Sequence, residues 1–126
     1  MKLAIVGLGG SYSDYIAARI RSEHFDEVWG INCVGGIIHV DKTIMMDPVS
    51  RFLDSDDAGS QTGIARKFLE KNTKPIITCE MDSRVKHLEL YPLEAVIKDL
   101  NICYFNNTVP YAIAYAIYYG AKELCL

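Results

Sequence analysis

The stretch from Lys2 to Asp14 narrows the choice of folds more than any other part of the chain. Lys2-Leu3-Ala4-Ile5-Val6 is an apolar run of strand length, and Gly7-Leu8-Gly9-Gly10 breaks it. Ser11 and Asp14 then stand at capping-box spacing, and Tyr12, Ile16 and Ile20 follow as an apolar series at four-residue intervals. Strand, glycine turn and helix in that order form a βα unit. Its turn leaves backbone N–H groups free at a helix N-terminus, where the peptide dipoles also favour negative charge. A phosphate or carboxylate is the natural guest, and Gly7, Gly9, Gly10, Ser11 and Ser13 are placed to hold it. A plain connecting turn, with Ser11 serving only as a cap, is the alternative reading.

The rest of the chain alternates in the same way. Glu27 to Cys33 reads as a second strand, broken by Gly35-Gly36, with Ile37-Ile38-His39-Val40 as a brief extension or edge piece. Thr43 to Met46 is a third strand, ending at Asp47-Pro48, a cap residue followed by proline at the first helical position. A short helix there gives way to the polar loop 54–60. Thr62 caps the next helix, whose apolar stripe is Ile64, Ala65, Phe68 and Leu69. Pro75 to Glu80 is a fourth strand, with proline at its first residue, where a missing N–H is tolerated. Residues 81–91 form a polar connector. Pro92 opens a helix with Leu93, Val96, Ile97 and Leu100 inward, and Ile102 to Phe105 is a fifth strand. A helix from Pro110 to Tyr119 is stopped by Gly120, and Lys122 to Leu126 begins a sixth strand. Apolar strands without period-two patterning, separated by helices, predict an α/β fold. It is a three-layer Rossmann-like domain over residues 1–126, with a mainly parallel sheet of five to six strands. The chain stops inside the sixth strand, which reads as a C-terminally truncated domain or as a strand at the sheet edge.

Composition removes several classes of function. The net charge is −3 and the basic residues form no stripe, so no nucleic-acid partner is expected. There is no apolar run of roughly 18 residues and no charged-then-apolar leader, which predicts a cytoplasmic protein without a membrane partner. Cys33, Cys79, Cys103 and Cys125 lie in or beside the expected strands without a Cys-x-x-Cys, a pattern of reduced, buried thiols. His24, His39 and His87 are not spaced as metal ligands. A calcium loop beginning at Asp54 would need glutamate where Ala65 stands, so no metal site is assigned.

Parallel sheets bind ligands outside the carboxyl ends of their strands, where the strand order reverses. The residues expected at those ends are the glycine turn, Asn32, Asp47, Glu80 and Asn106-Asn107-Thr108. Each has a structural alternative: Asp47 as a helix cap, Asn106 to Thr108 as partners for the free N–H groups of the following helix. Asp47 and His87 are the catalytic candidates, His87 as an acid or base in the connector above the strand ends or as a surface histidine. A dinucleotide dehydrogenase is disfavoured, because Tyr12 stands where the third fingerprint glycine belongs and Asn32 where the ribose-binding acid belongs. Neither a Walker-type Gly-Lys-Ser/Thr nor a Gly-x-Ser-x-Gly elbow is present. Helix 110–119 carries Tyr111, Tyr115, Tyr118 and Tyr119 on one broad face, with Ile113, Ala114 and Ile117 opposite. A helix apolar on both sides needs a second buried surface, and a homo-oligomer contact through it, or a missing C-terminal segment, is expected to supply it.

Several of these segments together carry a resemblance. Gly7-Leu8-Gly9-Gly10-Ser11, Val28-Trp29-Gly30-Ile31-Asn32 and Met45-Met46-Asp47-Pro48 follow the pattern Gly-x-Gly-x-Ser, strand-Asn, strand-Asp-Pro. Asn106-Asn107-Thr108, leading into Ala112-Ile113-Ala114-Tyr115-Ala116 and Gly120-Ala121-Lys122-Glu123-Leu124, continues it. The chain thereby resembles the Rossmann-like domain shared by 6-hydroxymethylpterin pyrophosphokinase-like proteins, motility accessory factors and one group of bacterial sialyltransferases, and also small phage and environmental proteins. The resemblance implies a nucleotide or nucleotide-sugar at the glycine turn. Ser11 and Asn32 would lie on its phosphates or sugar, with Asp47 and Asn107 near the reacting end. It implies a minimal glycosyl- or pyrophosphoryl-transferase, with a divalent metal left open as cofactor. Members of the family continue past the last strand with Gly-x-Asp, and this chain ends before that point. A non-catalytic homo-oligomeric binding or scaffold module is the alternative.

Overall fold

The computed structural model describes residues 1–10, 12–56, 59–101 and 107–126. Its centre is a six-stranded sheet: β1 (Lys2–Val6), β2 (Glu27–Ile31), β3 (Lys42–Met45), β4 (Ile76–Thr78), β5 (Leu88–Leu90) and β6 (Glu123–Cys125). The spatial order is β5-β4-β3-β2-β1-β6, and all five pairings are parallel. Helices cover both faces: α1 (Tyr12–Ile20), α2 (Val49–Asp54), α3 (Ser60–Lys71), α4 (Leu93–Leu100) and α5 (Thr108–Tyr119). The chain therefore folds as a three-layer α/β domain of Rossmann-like architecture.

The layer assignment follows from handedness. From β1 to β5 each strand is added on the same side, so right-handed connections put all the intervening segments on one face. The return from β5 to β6, beyond β1, puts α4 and α5 on the other face. Side chains sort accordingly, alternating along each strand. Leu3, Ile5, Trp29, Ile31, Ile44 and Ile77 point toward Val96 of α4 and Ala112, Tyr115 and Ala116 of α5. Ala4, Val6 and Val28 pack under α1 with Tyr12, Tyr15 and Phe25, and Met45 and Ile76 pack under Phe52, Ala65, Phe68 and Leu69. Trp29 is fully buried, donates its indole N–H to Glu27 Oε2 at 2.6 Å, and stacks its ring against Tyr115. The Lys42 ammonium lies 3.9 Å from the Tyr119 ring centre and 5.3 Å from that of Trp29, tying the end of α5 to β2 and β3.

Several expectations are corrected. One edge strand of the sheet, β5, comes from the connector, which was expected to carry none: it pairs with β4 through residues whose side chains, apart from Leu88, face solvent. The expected strand at 102–105 lies outside the described residues. Asn32–Gly36 form a 3₁₀ turn, and Ile37 to Val40 join no strand. Ile20 and Ile64 are exposed rather than inward, because α1 and α3 rest on Ala18 and on Ala65, Phe68 and Leu69 instead. Thr62 is buried inside α3 and Gly59 takes the N-cap position; Pro48, not Asp47, is the N-cap of α2. On α5, Ala114 is core and Ile113 packs against it, so the exposed apolar residues are Val109, Ile117, Tyr118 and Tyr119. Cys33, Cys79 and Cys125 are free, and Cys79 is exposed rather than buried. No helix among the described residues is long and apolar enough to cross a membrane.

The helix-free connector 79–87 is held by charge. Arg84 donates to Asp54 Oδ1 at 2.7 Å and Oδ2 at 3.0 Å, and to Asp82 Oδ2 at 2.8 Å. Those hydrogen bonds hold the carboxyl of Asp82 down at about 2 and lower that of Asp54. A depressed folded-state pKa stabilises the fold above the unfolded value near about 4, and the contribution disappears as pH falls through the folded value. Between those limits, acid should loosen the connector, with a small overall loss of stability because the Arg84 and Asp54 side chains are about half exposed, at 49% and 59%. Arg84→Met should remove most of that acid dependence, the residue-84 backbone N–H still donating to Asp82 Oδ1, as read by amide exchange of residues 79–87 during an acid titration.

Candidate functional site

Because every strand is parallel, all the carboxyl ends meet at one rim. β1 lies between β2 and β6, where the strand order reverses: the chain leaves β1 toward the α1–α3 face, whereas β6 is reached along the α4–α5 face, and open α/β sheets take ligands at the carboxyl side of such a switch point. The glycine turn is the loop at that position. The Tyr12 N–H donates to the Gly9 carbonyl at 3.1 Å and starts α1. Gly7, Gly9 and Gly10 all have ordinary φ, and a Cβ added at any of them would meet nothing within 4 Å. Neither backbone geometry nor internal packing calls for glycine here. What the missing side chains do is leave the backbone bare toward solvent at the head of α1.

Asn32 stands on the neighbouring strand end, since Val6 lies opposite Gly30 in the β1–β2 register. Its φ is +54, the left-handed region that asparagine enters more readily than most residues. Its carboxamide oxygen is buried without a hydrogen-bond donor. Such an oxygen costs about 1–3 kcal/mol when left unpaired; the buried hydroxyls of Thr43, Thr62 and Thr78 share that state, but of the four Asn32 is the one beside the bare turn.

Asp47 lies at the same rim two strands away, where Arg51 Nη1 approaches its carboxylate at 3.4 Å. One strand further, Ser50 Oγ donates to Glu80 Oε1 at 3.3 Å. Arg51 was not among the residues expected from sequence; its only signal there is the four-residue spacing from Asp47 that puts the two on one side of a helical turn. Cys79, beside Glu80, is the exposed thiol of the rim, but burial, followed by the nearby carboxylates Glu80 and Asp47, pushes its pKa up. The Cys33 thiol is likewise raised by burial. Neither is prepared as a thiolate nucleophile.

The remaining expected residues divide. Ser13 is at the turn, but its hydroxyl donates to the Gly10 carbonyl at 3.1 Å, so its proton is already used. Asn107 is the N-cap of α5: its Oδ1 accepts the Val109 N–H at 3.0 Å, and Thr108 begins the helix. The Tyr91 hydroxyl donates to the Tyr111 carbonyl at 2.9 Å and anchors this first part of α5 to the β5 end of the rim, away from the glycine turn. Ser11 and Asn106 lie outside the described residues. His87 belongs to the opposite edge. Its carbonyl accepts from Ile76 at the start of β4, and it precedes Leu88 as the residue leading into β5. The expectation that it sits above the carboxyl ends is therefore corrected, because the connector delivers the histidine to the amino end of β5, which runs parallel to β4. Among the described residues no group of three metal-ligating side chains assembles.

No protein-family model, curated protein or solved structure matches this chain. The functional reading thus stands on the rim itself: a bare amide turn, an unpaired carboxamide, and an Asp47–Arg51 pair along the same edge.

If Asn32 is kept for a ligand at a cost to the fold, removing it should stabilise the free protein. Asn32→Gly relieves the left-handed backbone and deletes the buried oxygen, and should raise unfolding free energy by about 1 kcal/mol in chemical denaturation.

Proposed function

We propose that this chain binds a nucleotide or nucleotide-sugar at the turn between β1 and α1. The reading is carried by the glycine backbone at the switch point, exposed at Gly9 and Gly10 and half-buried at Gly7, three positions where neither φ nor packing requires glycine. The amides around Gly9 and Gly10 hold the phosphates, helped by the dipole of α1. The unpaired oxygen of Asn32 accepts from a sugar hydroxyl or a base amine. Arg51 offers a guanidinium to phosphate or carboxylate groups further along the rim, with Asp47 holding it in place. If group transfer occurs here, it proceeds by positioning and charge stabilisation, since neither described rim thiol is activated. Titration with ATP, CTP and a CMP-linked sugar, followed by amide chemical shifts, should perturb residues 7–13 and 32. Gly10→Glu should fold normally, because its side chain enters open space, and should weaken binding by roughly tenfold or more through charge repulsion. Unperturbed amides with all three ligands would remove the proposal.

A second reading rests on α5. Ile117 and Tyr118, in the last turn of α5, are each at least 40% exposed, and an exposed apolar patch at a helix end is characteristic of a subunit contact. In this reading the chain is a homo-oligomeric binding module. Sedimentation should give a dimer that Ile117→Glu converts to monomer without loss of fold; a monomer at all concentrations rules it out.

A further inference from the structure

The face of the sheet that carries α1, α2 and α3 is incompletely covered. The β2–β3 connection makes a single 3₁₀ turn where a full crossover helix is usual, and a groove of about 640 Å³ remains between that turn and α3. Its volume falls within the range of about 300–1,000 Å³ occupied by small-molecule sites. The floor is apolar and close-packed: a Cβ on Gly35 would come within 3.0 Å of the Phe68 ring and of Val40. The rim keeps Leu8, Ile37 and Ile64 exposed by 58%, 63% and 61%, three large aliphatic side chains around one opening.

The charge of the groove is opposite to that of the molecule. Lys67, Lys71 and Lys74 line it, and among its described lining residues none is acidic, although the whole chain carries −3. None of the three lysines forms an ion pair with a described residue. Lys71 also offsets the negative end of the α3 dipole, but Lys67 lies a turn earlier and Lys74 beyond the helix, so that role does not account for them. Along α3 the groove-facing residues run from Ile64 to Lys71, apolar toward Leu8 and basic toward Lys74.

We propose that this groove is a binding site for a small anionic amphiphile, an aliphatic chain carrying a carboxylate or phosphate head. The chain lies over Phe68 between Ile37 and Ile64, and the head meets Lys67, Lys71 and Lys74. The site is distinct from the nucleotide reading of the glycine turn, which it adjoins through Leu8 and through Cys33, the residue after Asn32.

Displacement of anilinonaphthalene sulfonate tests it, with dodecanoate, dodecyl phosphate and the uncharged methyl ester of dodecanoate as competitors. Saturable displacement by either anion, and much weaker displacement by the ester, is the expected result; which anion binds tighter identifies the head. Lys67→Glu combined with Lys71→Glu, both at exposed positions, should weaken the anions roughly tenfold or more while leaving circular dichroism unchanged. Gly36→Leu should block the groove, because a Cβ there meets only Phe68 at 3.8 Å and has room to grow into it. If that variant does not fold, the charge reversal decides alone. Equal competition by the ester, or anion affinity unmoved by the charge reversal, would overturn the proposal. So would displacement by ATP that is lost in Gly10→Glu, since the groove would then belong to the glycine-turn site. Binding of an acidic amphipathic peptide with no displacement by either anion would equally overturn it.

Discussion

Parallel pairing of β1 between β2 and β6 is the constraint on which the other features rest. Parallel strands expose no face to water without loss, so both sides of the sheet must be covered, and each connection must cross the full sheet to start the next strand. That requirement gathers the carboxyl ends of all six strands at one rim. It also decides that the first loop of the chain, not a later one, lies at the divergence of the two halves. Were β6 to pair with β5 instead, the glycine turn would still head a helix but would border no switch point.

The apolar strands were legible because parallel strands buried on both faces need no polar alternation. Lys2 to Val6 and Thr43 to Met45 could be read directly for this reason. β5 was not legible. Leu88-Glu89-Leu90 buries only its first side chain, and the strand is defined by backbone bonds, Ile76 N–H to the His87 carbonyl and Tyr91 N–H to the Thr78 carbonyl, that side-chain patterning does not register. Ile64 and Ala114 show a related effect. Each sits one position from a buried neighbour, and apolar spacing alone did not tell the sheet-facing side of α3 or α5 from the other. Small residues Ala112 and Ala116 bring α5 close to the sheet, which pulls Ala114 inside with them.

The candidate site divides in the same manner. Glycines after a first strand, and polar residues at strand ends, follow from the chain alone, so the places of Gly7, Gly9, Gly10, Asn32 and Asp47 on the rim are legible in the sequence. What could not be read were the partners that commit or free each group. Ser13 has its proton taken by Gly10 and Asn107 its oxygen by Val109, whereas Asn32, with the least remarkable sequence context of the three, is left with an unsatisfied oxygen. Hydrogen-bond commitment depends on a backbone direction that composition does not encode. His87 failed for a topological reason: the unread strand that follows it carries it to the other edge.

Two of the connections on the α1–α3 face lack an α-helix, and the chain compensates for each differently. Between β4 and β5, Val85 fills the core and Arg84 pins the segment to Asp54, thirty residues earlier, so the surface there is closed by charge. Between β2 and β3, Val34 and Val40 fill the core, and the Asp41 carboxylate receives the Val28 N–H at 2.8 Å, but no helix is laid between the exposed Ile37 and Ile64. The first solution seals its gap with opposite charges that satisfy each other. The second leaves apolar atoms and unpaired lysines side by side, a combination that neither the hydrophobic effect nor electrostatics favours in the free protein. Sealing was within reach of the same chemistry, since one glutamate in place of Lys67, four residues before Lys71, would have formed an ion pair along α3. Openness at that groove is therefore a property of the sequence and not a necessity of the fold.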